Sequence, residues 1–349
     1  MFHNMAWSTP SRERRVLKAG HSSIAVTLPK PWAEAMNLRP GDLIVFDQND
    51  DGTLYLKPAP APGATTVGTP FLVQARSFDT PGVLERLVVG AYRVGHDAIE
   101  IRTDVPLTSD RMEELQAAAR GLLGVSVVAQ EPNRILLQNF IDPSKYELPQ
   151  LVQRMKMILI AFIEETEDLL KRHTRSRRLG TLEEEAHKVL SLLVRQLFLA
   201  SRDWSLARRI GSPDPRQLLE WRVVVHALQE LGTLFEETLS TLNAEPSKLE
   251  GSETLSALLP HVKFALKEVV DALMHPSLER ACEVYSTAEH LWVQAADSRG
   301  QLKGSARKNG VYASTLVLQR AASALSLLAE VGIDRAVSLG HESVLVEAA

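Results

Sequence analysis

A chain of 349 residues, 45% hydrophobic and 23% charged, has the composition of an ordinary globular protein with room for two or three domains. Its net charge of −4 excludes a surface coated in basic residues, so any nucleic-acid contact has to come from a local patch. The single cysteine, Cys282, excludes an internal disulfide and a cysteine cluster for zinc, and fits a reducing compartment. The opening residues MFHNMAWSTPS lack the charged-then-apolar pattern of a secretion signal. The longest clean apolar run, Met157 to Ile163, is far short of a membrane span. The expectation is a soluble cytoplasmic protein with no membrane insertion.

In chain order, the first informative stretch runs from Arg12 to Pro58. Arg14 to Lys18 reads as a basic strand, broken at Ala19-Gly20-His21-Ser22, and Ile24 to Leu28 as a second strand closed by Pro29. Pro31 sits where the first turn of a helix tolerates proline, and Trp32 to Leu38 reads as that helix. Arg39-Pro40-Gly41-Asp42 is turn chemistry, Leu43 to Phe46 a strand, and Asn49 to Gly52 a turn into Thr53 to Leu56. Such a β-β-α-β-β piece is too small to close a core by itself, so a partner is expected.

Between Arg12 and Lys30 stand Arg12, Arg14, Arg15, Lys18 and Lys30 against one acid, Glu13. Positive charge on a two-stranded ribbon neutralises phosphates, with affinity that falls as salt rises. It also guards an exposed strand edge against aggregation, and charge alone does not choose between these roles. Strand alternation would put Arg14 and Lys18 on one face and Arg15 on the other.

The pattern GxSxxxVTLPKxW, a helix, then LxxGDxIxF resembles the SpoVT-AbrB swapped-hairpin family, through Gly20, Ser22, Val26 to Lys30, Trp32, Leu38, Gly41 and Asp42. The resemblance implies a homodimer of interlocked hairpins that grips DNA, with Arg12, Arg14, Arg15, Lys18 and Lys30 as the DNA-binding residues.

Residues 59 to 70 alternate proline with small residues and read as a semi-extended linker. Residues 71 to 140 follow β-α-β-α-β-β: strands Phe71 to Ala75, Ala98 to Ile101, Val125 to Val128 and Arg134 to Leu137, with helices Pro81 to Gly95 and Ser109 to Leu123. Ser109 or Asp110 is available to cap the second helix, and the order suggests a small sheet with helices on one face. Asp79-Thr80-Pro81-Gly82-Val83-Leu84 resembles the ligand-binding turn of ACT-type domains, although the element order departs from theirs after the second strand. In the alternative, Asp79 simply caps the helix.

From Ser144 onward helical periodicity takes over, in segments 144–243 and 251–340. Leu148, Leu151, Met155, Ile158 and Phe162 mark one apolar stripe, and Val189, Leu192, Leu193, Leu197 and Leu199 contribute to a second. Further helices run from about Arg216 to Leu242, Glu253 to Met274, Ser277 to Ala296 and Val311 to Leu339, giving two sets of three. Leu192-Leu193-Val194-Arg195-Gln196-Leu197, Glu220-Trp221-Arg222-Val223-Val224 and the helix spacing resemble the PhoU family of phosphate-uptake regulators. The fold class expected is therefore multidomain and mainly α: an N-terminal swapped-hairpin β domain (12–58), a small α/β domain (71–140) and two PhoU-like three-helix bundles.

The PhoU resemblance implies paired acids that hold metal clusters. The matching first-bundle positions are Glu183 with His187 and Gln229 with Thr233, a single carboxylate among four residues. The second set offers Glu279, Glu283, Glu289 and Glu330, with Ser326 where the family would place an acid. No metal and no cofactor is expected. The basic run Lys171 to Arg178 reads as a solvated interhelical loop, with phosphate contact as its other reading. Gly300 to Gly304 lacks phosphate-loop spacing, and neither a serine nor Cys282 has a recognisable base. An enzyme is not expected. The function implied is a DNA-binding regulator tied to phosphate uptake or signalling. The alternatives are an adaptor docking on a phosphate transporter or sensor kinase, and an antitoxin, against which some two hundred helical residues weigh.

Overall fold

The computed structural model describes residues 13–48, 52–59, 70–75, 80–307 and 309–339. Contacts divide the chain into two units, 1–66 and 67–349. The chain is mainly helical, with small sheets in its first part.

The first unit holds β1 (Leu17–Ala19), β2 (Ser23–Ala25), α1 (Lys30–Ala35), β3 (Ile44–Gln48) and β4 (Leu54–Pro58). β1 pairs with β2 and β3 with β4, each antiparallel, as two separate two-stranded ribbons. The order is the expected one, but the bounds move. The first hairpin ladder is three residues long, so Arg14 and Arg15 precede β1 and Val26 to Leu28 follow β2. Helix α1 starts two residues early, with Pro31 in its first turn, and ends at Ala35, with Met36 as its cap before Asn37 takes a left-handed φ of 55°. Gly20, at φ 75°, supplies the turn conformation a side chain resists. Of the Asn49–Gly52 turn only Gly52 is described, and of the Pro-rich stretch 59–70 only its ends; the rest lies outside the described residues.

The second unit contains β5 (Phe71–Ala75), α2 (Val83–Arg93), β6 (Ala98–Thr103), α3 (Ser109–Arg120), β7 (Val125–Glu131) and β8 (Arg134–Asn139). The sheet runs β5-β6-β8-β7, with β5 parallel to β6 and the other pairs antiparallel. A bulge between Val127 and Ala129 sits in β7. Alternation sends Val73, Ile99, Ile101, Ile135 and Leu137 into a core with Leu84, Val88 and Tyr92 of α2 and Leu115 of α3. Between Ile99 and Ile101, Glu100 is buried as a carboxylate, held by Arg102 at 2.8 Å and by Arg134. These hydrogen bonds hold its pKa below the usual carboxylate range.

The cap of α3 is Thr108, whose hydroxyl accepts from the Arg111 amide at 3.4 Å, and neither Ser109 nor Asp110 takes that place. Thr108 has the extended backbone a cap needs, whereas the two residues after it are already helical. Gly82 begins α2 at φ 82°, and Asp79 lies outside the described residues. The free end of α2 is met from α3: Glu114 accepts from the Glu85 amide at 3.2 Å and from Arg111 at 2.8 Å. The Gly82 amide, at the Pro-Gly turn that the ACT-like reading offered to a ligand, is also hydrogen-bonded to the Glu114 carboxylate.

Six long helices follow: α4 (Leu148–Arg172), α5 (Leu179–Ala200), α7 (Pro215–Ala244), α8 (Ser252–Met274), α9 (Leu278–Gln301) and α10 (Gly310–Ser338), with a short α6 (Trp204–Arg209) after α5. α4 packs on α5, α7 and α8, and α10 packs on α7, α8 and α9. One continuous apolar core therefore runs through both sets of three, from Leu148 to Val331. Helix α10 is long and apolar enough to cross a membrane by length and composition, yet 67% of its apolar window is buried against its neighbours. At the α7–α10 seam Trp221 is buried beneath the Arg335 guanidinium, 4.5 Å from the ring centroid, and Arg335 lies 3.7 Å from Glu220.

Arg195 of α5 joins the α/β layer to the helices. Its side chain is 2% exposed and lies over the Tyr92 ring at 4.8 Å. It donates to the carbonyls of Tyr92 at 2.6 Å and His96 at 3.0 Å, and pairs with Asp97. Gly95, at φ 103°, lets the chain pass so close to α5 that a Cβ there would meet Leu199 at 2.7 Å. Next to Arg195, Gln196 donates to the carbonyls of Pro143 and Tyr146, both at 2.6 Å.

Arg195→Met keeps the volume but strands these acceptors. The expected loss is about 2–3 kcal/mol of unfolding free energy by urea titration; a change within about 0.5 kcal/mol, as at exposed positions, would contradict the assigned role. Glu114 carries a pH-dependent contribution. Burial pushes its pKa up, but hydrogen bonds from Arg111 and from the Glu85 and Gly82 amides outweigh this and leave it lowered. Its contribution is thus complete above the unfolded carboxylate pKa and lost as pH falls through the lower folded value. Thermal melts of Glu114→Gln are expected to show a smaller drop in Tm from neutral to acid pH than the parent; an equal drop would exclude this carboxylate as a source.

Candidate nucleic-acid interface

The basic residues of the first unit surround a hairpin too short to organise them by strand alternation. Lys18 is in the β1 ladder opposite Ile24, while Arg14 and Arg15 stand in the extended segment before it. The expectation that Arg14 and Lys18 share one strand face therefore does not carry over. All three side chains are exposed, and none has an ion pair among the described residues. Lys30 opens α1 and faces Glu34 one turn on, at 3.7 Å with both side chains largely exposed, a pairing worth little in water. Arg12 lies outside the described residues. At the other end, Asp42 closes its own turn by accepting from the Arg39 amide at 2.7 Å.

Behind this basic end lies an apolar groove of about 460 Å³ between the two hairpins, lined by Val16, Ile24, Val26 and Leu28 on one side and Ile44, Phe46, Leu54 and Leu56 on the other. No residue of the unit is buried among those described: Ile24 is 77% exposed and Phe46 60%. An isolated two-stranded ribbon is marginal in water, and two of them with an open apolar cleft are an unfinished core. The sequence held the signal in its alternating apolar residues. It did not show that the two hairpins leave the cleft open rather than close it on themselves.

The positions to which the PhoU resemblance gave metal do not converge. Thr233 spends its hydroxyl on the Gln229 carbonyl at 3.2 Å. Glu183 acts instead on Glu236, whose pKa is raised, first by burial and then by that like charge. On α9 and α10, Glu289, Ser326 and Glu330 line one shallow pocket with Trp292, while Glu279 and Glu283 lie further up α9 and are exposed. Among the described residues no three metal-binding side chains come together.

The basic run after α4 is less free than its composition suggests. Arg175 donates to the Ala244 carbonyl at the end of α7 at 3.1 Å, and Arg178 pairs with Glu165 at 3.0 Å. Ser176 also bonds Glu165, and its amide donates to Asn243 at 2.8 Å. Three residues read as solvated thus tie the ends of α4 and α7, while Lys171, His173, Thr174 and Arg177 remain exposed.

A charge placed in the groove tests its purpose. Phe46→Asp is expected to turn an associated full-length protein into a monomer by sedimentation, with the helical signal in circular dichroism retained; an unchanged sedimentation coefficient would mean that the cleft is not an interface.

Residues 17–63 match the family model described as antidote-toxin recognition MazE, bacterial antitoxin. The matched segment contains both hairpins and α1, and is the segment that resembles the AbrB-like class through Gly20, Ser22, Gly41 and Asp42. Comparison of the chain with curated proteins and with solved structures gives no match. The N-terminal segment is thus similar to a MazE-type, AbrB-like domain.

Proposed function

We propose that this chain is a homodimeric DNA-binding regulator that reads DNA through its N-terminal unit. The observation that carries this reading is the pairing of two features in one MazE-similar segment: an apolar cleft with no buried residue, and an exposed group of unpaired cations beside it. A second copy inserted into the cleft completes the core, and the two-fold axis doubles the cations offered to a duplex. Arg14, Arg15 and Lys18 make the phosphate contacts in this reading, with Arg12 and Lys30 at its margins. Locating the protein in the cytoplasm belongs to the same proposal.

The helical region extends the proposal to regulation. Its resemblance to PhoU, carried by the Leu192–Leu197 and Glu220–Val224 stretches, supports a link to phosphate uptake or signalling. A phosphate transporter or sensor kinase is the partner that the same resemblance favours. The second reading, an antitoxin, is favoured by the description of the matched family. Both readings use the same DNA-binding dimer and differ in what the rest of the chain does. An antitoxin would release growth arrest by a toxin partner, whereas a phosphate regulator would change the expression of transport genes.

Replacing Arg14, Arg15 and Lys18 with Ala removes three cations from each chain. If all six in a dimer touch phosphate, the slope of log K against log salt on promoter DNA falls by about 5, at about 0.9 per contact. Fluorescence anisotropy at several salt concentrations, with circular dichroism as a folding check, reads this directly. An unchanged slope and affinity would remove these residues from the interface.

A further inference from the structure

Helices α9 and α10 run antiparallel along a shared seam, where Arg299 donates to Gln319 at 2.7 Å and the Ser326 hydroxyl lies 3.5 Å from Glu289. Glu289 and Trp292, three residues apart, share one face of α9, and Ser323, Ser326, Leu327 and Glu330 recur at helical spacing on α10. These six residues line a pocket of about 350 Å³ on the seam. Glu289 and Glu330 are exposed, and neither has an ion pair among the described residues. At two neighbouring seams acids do reach a cation. Glu230 meets Arg320 at 2.7 Å between α7 and α10, and Asp271 meets Lys156 at 2.8 Å between α8 and α4.

The walls of the pocket select among cations. Ser326 is more than nine-tenths buried, yet its hydroxyl reaches only Glu289 among the described residues, at 3.5 Å, beyond the ordinary O–H···O range. That leaves a buried hydroxyl free to serve an occupant. A hard metal ion takes about six or more oxygen ligands, whereas no three metal-binding side chains come together among the described residues. Trp292, 46% exposed, offers such an ion nothing. An indole does attract an organic cation through its ring face and covers the alkyl chain that carries it. Two uncompensated carboxylates, one from each helix, suit an occupant with two positive centres.

We propose that the α9–α10 pocket binds a small organic dication, whose nitrogen groups pair with the Glu289 and Glu330 carboxylates while Trp292 covers its chain and the Ser326 hydroxyl accepts a hydrogen bond. A volume of about 350 Å³ is at the small end of ligand sites and fits a short diamine or its guanidinium analogue. A guanidinium forms a planar fork with a carboxylate and stacks on an aromatic face, whereas an ammonium supplies a point charge. Both share the chemistry that the pocket offers. The occupant links a carboxylate of α9 to one of α10 and so holds the two helices together. The site does not depend on the DNA reading, since its residues are outside 17–63.

The test is calorimetric titration of the full-length protein, without DNA, with agmatine and, separately, putrescine, with sodium chloride at equal ionic strength as the reference. At least one of the two is expected to bind and to raise Tm above the chloride reference. Tighter binding of agmatine identifies a guanidinium ligand, and tighter binding of putrescine a diamine. Glu289→Gln and Glu330→Gln are each expected to weaken binding by about 10-fold, the effect of one charge-assisted hydrogen bond. Trp292→Leu is expected to weaken it by about 3-fold, the size of a cation–π contact at an exposed position. Glu283→Gln removes the same charge from an exposed position outside the pocket and is expected to leave affinity unchanged. Neither ligand exceeding chloride in effect, binding undiminished in both Glu289→Gln and Glu330→Gln, or an equal loss in Glu283→Gln would overturn the proposal. Displacement of the organic cation by a lower concentration of magnesium or manganese would overturn it as well, in favour of a metal site. Loss of this site would leave the salt dependence on promoter DNA untouched, so the two readings fail separately.

Discussion

The second unit depends on one guanidinium. Arg195 enters the C-terminal end of α2, where helix carbonyls lack intrahelical partners and the helix dipole favours a cation. Donating to Tyr92 and His96, pairing with Asp97 and covering the Tyr92 ring, it replaces the water those groups would otherwise need. Gly95 allows this approach because a Cβ would strike Leu199. Gln196, next along α5, does the same for the carbonyls of Pro143 and Tyr146 just before α4. Two adjacent polar residues within the apolar run Leu192 to Leu199 of α5 thus bind the sheet and its connection to the helices that follow. A hydrophobic contact of equal area would leave several carbonyls unsatisfied, and so would not fix the same arrangement.

The N-terminal unit follows an opposite economy. Its hydrogen bonds are local, within two short ribbons and one helix of six residues, and its apolar side chains face an open cleft. The part of the chain similar to a MazE-type domain is therefore also the part whose apolar side chains are left uncovered. Charge is arranged to match. The cations before and within β1 are left unpaired, whereas many of those on the helices are spent on carboxylates or helix ends. Unpaired cations beside an uncovered apolar cleft are the two features on which the proposed dimer and its contact with a polyanion rest.

The helical region shows how residue identity and residue environment diverge. Glu183 and His187 stand where the PhoU resemblance would place one arm of a metal site, yet Glu183 raises the pKa of Glu236 across the α5–α7 contact, and the pKa of His187 is lowered, first by burial and then by Arg93 of α2. The neighbour that decides the chemistry came from another helix in each case. The same holds for Glu114, whose carboxylate partners an amide at the start of α2 from a helix almost thirty residues away.

By itself the sequence determined the order of elements: β-β-α-β-β, then β-α-β-α-β-β, then long helices broken at His275-Pro276 and similar points. It could do so because periodicity, proline and glycine act within a few residues. It also determined that the basic residues cluster before the first turn and, through Gly20, Ser22, Gly41 and Asp42, showed the AbrB-like resemblance of the N-terminal segment. Local propensity did not place the bounds of β1, since a ladder of three pairs is set by where its partner strand stops, and so the assumed alternation of Arg14 and Lys18 was lost. Only the tertiary structure decided that the six helices share one core and that Arg175 and Arg178 tie helix ends. Each of these is a contact between residues far apart in sequence, and pairwise electrostatics at such range is fixed by packing rather than by composition.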